Sequence, residues 1–112
     1  MNSRELAVLA TETMENKKAE DLIILHIEEK ASFADYFVLA SGKSERQIGA
    51  LADEVQDAYA KEGVIAKNIE GKKESGWILM DYGDVIVNVL TEEMRSRYNI
   101  EKVWADCEVI KE

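Results

Sequence analysis

Few residues in this chain have types and spacings that chemistry uses. Asp81 and Asp84 flank Tyr82-Gly83, close after Trp77. Two carboxylates so placed suit either a divalent metal beside a nucleotide or a cationic side chain from another protein. Metal-holding pairs of the nucleotidyltransferase kind use Asp-x-Asp on one strand, which puts both carboxylates on one face. Asp-x-x-Asp across a turn departs from that pattern. Gly42-Lys43-Ser44 follows an expected strand and opens an expected helix, as the end of a Walker A loop does. That loop needs another glycine five positions before Gly42, where Phe37 stands. His26 lies in an apolar run and reads as a packed or edge histidine. Cys107 has no base beside it and reads as inert. A single cysteine also excludes an intrachain disulfide and a cysteine-built metal site. No catalytic residue, metal ligand or cofactor is therefore expected, and the enzymatic alternative rests on Asp81 and Asp84 with a divalent metal.

The elements that must carry these residues follow from periodicity. Leu6, Leu9, Ala10, Thr13 and Met14 recur at helical spacing and predict a helix over residues 3–17. Leu22–Ile27 and Tyr36–Ala40 read as strands. Ser44 and Gln47 fit a capping box that opens a helix with an apolar stripe at Ile48, Leu51, Ala52, Val55 and Tyr59. Gly63 supplies the left-handed residue that ends it. Val64–Ile69 reads as a weaker strand, and Trp77–Met80 and Val85–Leu90 as a hairpin around Asp81-Tyr82-Gly83-Asp84. Thr91 caps a short helix through Tyr98, Ile100–Trp104 is a further helical turn, and the tail is strand-like at best. The expected fold is α+β, a mixed five-stranded sheet with helices mainly on one face, in one domain over residues 1–112.

The first, second and fifth expected strands are apolar on both faces, the mark of strands covered on both sides. Two amphipathic helices cover one face of such a sheet, and the short C-terminal elements cover only part of the other. A remaining apolar patch of this kind marks a partner site. With Tyr82-Gly83 as a two-residue loop, Ile78 and Met80 share a face with Val85, Val87 and Val89. Trp77, Leu79, Asp81, Asp84, Ile86 and Asn88 share the other, and the two aspartates stand opposite each other, which is unfavourable. A three-residue loop with Gly83 left-handed avoids strain at Tyr82 but mixes the faces; the two-residue register is preferred. In the plainer alternative, Trp77 is core and both aspartates are turn residues.

Composition bounds the partners. The chain has 112 residues, 46% hydrophobic and 33% charged, with 14 Lys plus Arg against 23 Asp plus Glu, a net charge of −9. Nucleic-acid backbones are bound by basic groups that release counterions, so direct nucleic-acid binding is not expected. An acidic domain is steered instead toward basic protein surfaces. Glu5, Glu12 and Glu15 interrupt any signal or transit peptide at the N-terminus, and the apolar runs are too short to span a bilayer. A cytoplasmic location with no membrane partner is expected.

Four stretches in order, Asp35–Gly42, Ser44–Gln47, Gly76–Asp84 and Ile100–Trp104, resemble the Iojap family, also called ribosomal silencing factor S. The resemblance runs from the first helix to Asp106. It implies a small α+β domain related in outline to nucleotidyltransferases, and a binding protein in place of an enzyme. Such a protein binds the large ribosomal subunit through the fourteenth large-subunit protein. There it sterically blocks subunit joining and represses translation under nutrient limitation. It also implies a homodimer. Carried onto this chain, the family's surface maps to Trp77, Leu79, Asp81, Tyr82, Gly83 and Asp84, with Arg97 and Tyr98 nearby. Asn88 stands where many relatives carry histidine, so it keeps a hydrogen bond but cannot titrate near neutral pH.

Overall fold

Asn2 starts the first helix: its side-chain oxygen accepts from the Glu5 N–H at 2.8 Å, and the Glu5 carboxylate accepts from the Asn2 N–H at 2.9 Å. Two of the donors a helix start leaves orphaned are thereby satisfied. In the computed structural model, which describes residues 1–111, the chain runs α1 (Ser3–Glu15), β1 (Glu20–His26), β2 (Tyr36–Gly42), α2 (Glu45–Lys61) and β3 (Asn68–Glu70). A 3-10 turn (Lys73–Ser75), β4 (Trp77–Asp81), β5 (Val85–Thr91), α3 (Glu92–Tyr98), a second 3-10 turn (Ile100–Trp104) and β6 (Glu108–Lys111) follow. Ser44 caps α2 as its sequence implies, accepting from the Gln47 N–H at 3.1 Å. Gln47 turns its own side chain to the Lys43 N–H at 2.6 Å, one residue outside the expected box.

One sheet in the order β3-β4-β5-β2-β1-β6 organises everything. The β2–β5 pair is parallel and the other four are antiparallel, so α2 and the β3–β4 hairpin form the crossover between the two central strands. β2 is buried along its whole length and β5 along all but Thr91. The apolar stripes of α1 and α2 cover one face, where Met14, Ile48, Leu51, Val55 and Tyr59 close over Ile24, Val38, Met80 and Val87. The Tyr59 hydroxyl donates to the Leu6 carbonyl at 2.6 Å and ties the two helices together.

The opposite face is covered by shorter pieces. Leu25, Phe37, Leu39, Ile86 and Leu90 lie beneath Met94, Ile100 and Trp104, and the Trp104 ring stands 5.9 Å from Phe37. The sheet has six strands where five are expected. β6 joins by pairing Leu25 with Val109 and His26 with Glu108 along the β1 edge. Glu-Val-Ile-Lys is too short to announce a strand; a free edge on β1 makes it one.

Candidate protein-interaction face

β4 alternates, so Trp77, Leu79 and Asp81 leave the sheet on one face while Ile78 and Met80 enter the helix-covered core on the other. Register adds Asn68 and Glu70 of β3 beside Asp81 and Leu79, and Ile86 and Asn88 of β5 on the far side. α3 and the second 3-10 turn stop short of the β3–β4 edge, leaving Trp77 and Leu79 half-buried at the margin of the second hydrophobic cluster.

The hairpin differs from the expected one by a single position. Tyr82 pairs with Val85, its N–H donating to the Val85 carbonyl at 3.0 Å, so the two loop residues are Gly83 and Asp84 instead of Tyr82 and Gly83. Gly83 has φ +91° and is the only positive-φ residue of the turn, which is what the first position of a type II′ loop demands. The expected loop would have forced that conformation on Tyr82. Cross-strand pairing moves by two residues, which preserves the faces: Trp77, Leu79, Asp81, Ile86 and Asn88 remain together.

Asp81 now stands opposite Ile86, not Asp84. Its carboxylate accepts from the Gly83 N–H at 2.8 Å, the role of a turn aspartate. Asp84 is exposed, and its carbonyl accepts from the Asp35 and Tyr36 N–H groups at 2.8 and 3.0 Å, pinning the turn to β2. The like-charge opposition that the expected register carried is thus not formed. Among the described residues no three His, Cys, Asp or Glu side chains come together as metal ligands. Tyr82 leaves on the helix side, its ring 4.4 Å from Tyr59, where burial pushes both phenols above their ordinary pKa.

Asn88 belongs to the right face but lies beneath it, fully buried. Its Oδ1 accepts from the Trp77 indole N–H at 3.0 Å, and its amide reaches the Val38 carbonyl at 3.5 Å. Tyr98, at the end of α3, is 52% exposed and tilts against Trp77 with ring centroids 5.6 Å apart. Arg97 is exposed and pairs with Glu93 one turn earlier. The structure thus brings Trp77, Leu79, Asp81 and Tyr98 to one surface, with Asp84 at its turn and Arg97 on the adjoining helix. Tyr82 and Asn88 lie behind, and Gly83 shapes the turn.

Sequence reasoning missed the group that fastens α3. The Arg95 side chain is 10% exposed; its Nε donates to Glu101 at 2.9 Å and its Nη1 to the buried Ser41 hydroxyl at 2.9 Å. No local pattern joins residues 41, 95 and 101. His26 is not a lone histidine either: its ring nitrogens meet Glu28 at 3.0 Å and Glu108 at 3.4 Å, and the ring stacks on Tyr36. Glu28 was legible two residues away; Glu108 arrives only with β6. No described helix is long and apolar enough to cross a membrane.

Known proteins resemble this chain in sequence and in fold. The sequence model of the family described as "Ribosomal silencing factor during starvation" matches residues 1–112. The protein named ribosomal silencing factor RsfS in Bacillus subtilis is 39% identical over 107 residues, 96% of this chain and 91% of its own length. Its namesake in Halalkalibacterium halodurans is 35% identical, over 99% of this chain and 95% of its own length. A crystal structure of a Chromobacterium violaceum protein superposes with a TM-score of 0.90 at 36% identity, covering 94% of this chain and 88% of that one.

Proposed function

This chain belongs to the ribosomal silencing factor family, also called Iojap, and on that premise we propose that it binds the large ribosomal subunit through the Trp77 face. The observation that carries the proposal is a half-buried tryptophan whose indole N–H is anchored on Asn88, set on the part of the sheet the helices leave open. Aromatic anchors of this sort dominate protein interfaces, because a large rigid side chain buries much area at little entropic cost. Leu79 and Tyr98 extend the apolar centre, and Asp81, Asp84 and Glu70 supply an acidic rim. With a net charge of −9, the domain is drawn to a basic protein and repelled by exposed phosphate.

The partner is the fourteenth protein of the large subunit, on the side that meets the small subunit. The mechanism is steric and needs placement and affinity, not bond chemistry. A domain held there occupies volume the small subunit must enter, so joining stops and translation is damped when nutrients run short. An interface on the order of 1,200–2,000 Å² in total is enough. Membership of the family also implies a homodimer, and the protein acts in the cytoplasm.

Co-sedimentation with separated ribosomal subunits tests this. The chain is expected to travel with isolated large subunits and to lower the yield of joined ribosomes when small subunits are added. Absence from the large-subunit fraction, or equal binding to joined ribosomes, overturns it.

A further inference from the structure

Beside Trp77 the open face holds a slot of about 330 Å³, at the small end of ligand pockets. Trp77, Leu79 and Met94 are its apolar side chains, Gly71 and Ser75 its wall, and Glu70 its acid. The wall is built in. Ser75 Oγ donates to the Lys72 carbonyl at 2.7 Å and lies 3.1 Å from the Trp77 carbonyl. Gly71, at φ +81°, lies so close to the Trp77 carbonyl that a Cβ there would collide with it. The slot is therefore preformed.

Its charge has one sign. Glu70 ends β3 opposite Leu79 and shares its face. It is exposed, and its carboxylate has no hydrogen bond or ion pair among the described residues. The neighbouring Lys72 and Lys73 line the groove on the α2 side of β3, away from this slot.

We infer that the slot receives one long basic side chain, lysine or arginine, from the docked protein. The methylene stem covers Leu79 and Met94, the charged head meets Glu70, and the indole face of Trp77 adds cation–π attraction. An apolar side chain would fill the same space but strip water from Glu70 without replacing it. An acidic one would meet like charge. The inference rests on the docking reading above and sharpens it: Glu70, Gly71, Ser75 and Met94 join the contact surface, and the partner's residue type at its centre is specified.

The test compares affinity of the full chain for isolated large ribosomal subunits at two salt concentrations. Glu70→Gln keeps the shape of the side chain and removes its charge. It is expected to weaken binding on the order of tenfold and to flatten the salt dependence, and Glu70→Lys to weaken it at least about a hundredfold. Asp57→Asn removes the same charge from the exposed face of α2, on the other side of the sheet, and is expected to stay within about twofold of wild type. Equal loss in Glu70→Gln and Asp57→Asn, or no loss in Glu70→Gln, overturns the slot and leaves the docking face standing. Failure of the wild-type chain to bind overturns both.

Discussion

The Trp77 indole N–H donates to Asn88 Oδ1 at 3.0 Å along the diagonal of the β4–β5 pair, since Trp77 lies directly opposite Leu90 and Asn88 opposite Leu79. A buried amide therefore sets the direction of a half-exposed ring. Asn88→Ala removes the acceptor, opens a small cavity and leaves the indole donor without its partner. A stability loss of about 1–3 kcal/mol is expected in urea unfolding. In a Trp104→Phe background, the emission of Trp77 should shift and become easier to quench. An unchanged spectrum and unchanged midpoint would show that the bond does not hold the ring.

Trp77→Ala separates the anchoring role from the core role. The side chain sits at the margin of the second cluster, not at its centre, so the fold is expected to survive. Binding to large subunits is expected to fall by more than about 2 kcal/mol. Isothermal titration or sedimentation measures the binding, and circular dichroism the fold. Unfolding of the variant would return Trp77 to the core, as in the plainer reading of the sequence.

Arg95 holds α3 by touching two elements at once, Ser41 on β2 and Glu101 in the second 3-10 turn. Removing the Arg95 side chain leaves the buried Ser41 hydroxyl without this partner and empties the space it fills, while Glu101, 35% exposed, regains water. Arg95→Ala is therefore expected to destabilise by about 1–3 kcal/mol. Hydrogen exchange should quicken first over residues 92–104, since α3 has no buried residue of its own. Uniform protection across the variant would count against the clamp.

His26 gives the stability a pH dependence with a definite sign. Its hydrogen bond to Glu28, together with Glu108 and the charges of both carboxylates, outweighs desolvation and lifts its pKa above the ordinary 6.5. The protonated ring is thus favoured in the folded state. Its stabilisation is complete below the unfolded value and disappears as pH rises through the folded one, so the window opens at pH 6.5 and runs upward. Titration of the His26 ring by NMR measures the pKa directly. Glu28→Gln should lower it more than Glu108→Gln, and loosening of β6 should follow deprotonation, because His26 and Glu108 are β1–β6 register partners. A folded pKa at or below 6.5 would remove the effect.

Period and punctuation were readable without coordinates because they are local. The helical stripe of α2, its Ser44 cap, the left-handed Gly63 and the doubly covered strands β2 and β5 all stand where the residue pattern puts them. Even the face assignment on β4 and β5 survived a wrong loop, since moving the pairing by two residues leaves each side chain on its side. The turn itself falls one residue later than expected, because a two-residue Gly83-Asp84 loop gives Gly83 its positive φ while keeping the faces unmixed.

What lay in the amino-acid order alone were the three helices and five of the six strands, the acidity and the existence of a half-covered sheet face. Those depend on neighbours a few residues apart and on sums over the chain. Tertiary structure decided that Tyr82 and Asn88 lie behind that face, that Asp81 closes a turn instead of facing Asp84, and that β6 brings Glu108 to His26. It also decided that Arg95 meets Ser41 across 54 positions and that Glu70 borders a slot with Met94. Each of these is a meeting between distant segments. The directions of side chains at such meetings follow from packing, which no local pattern encodes.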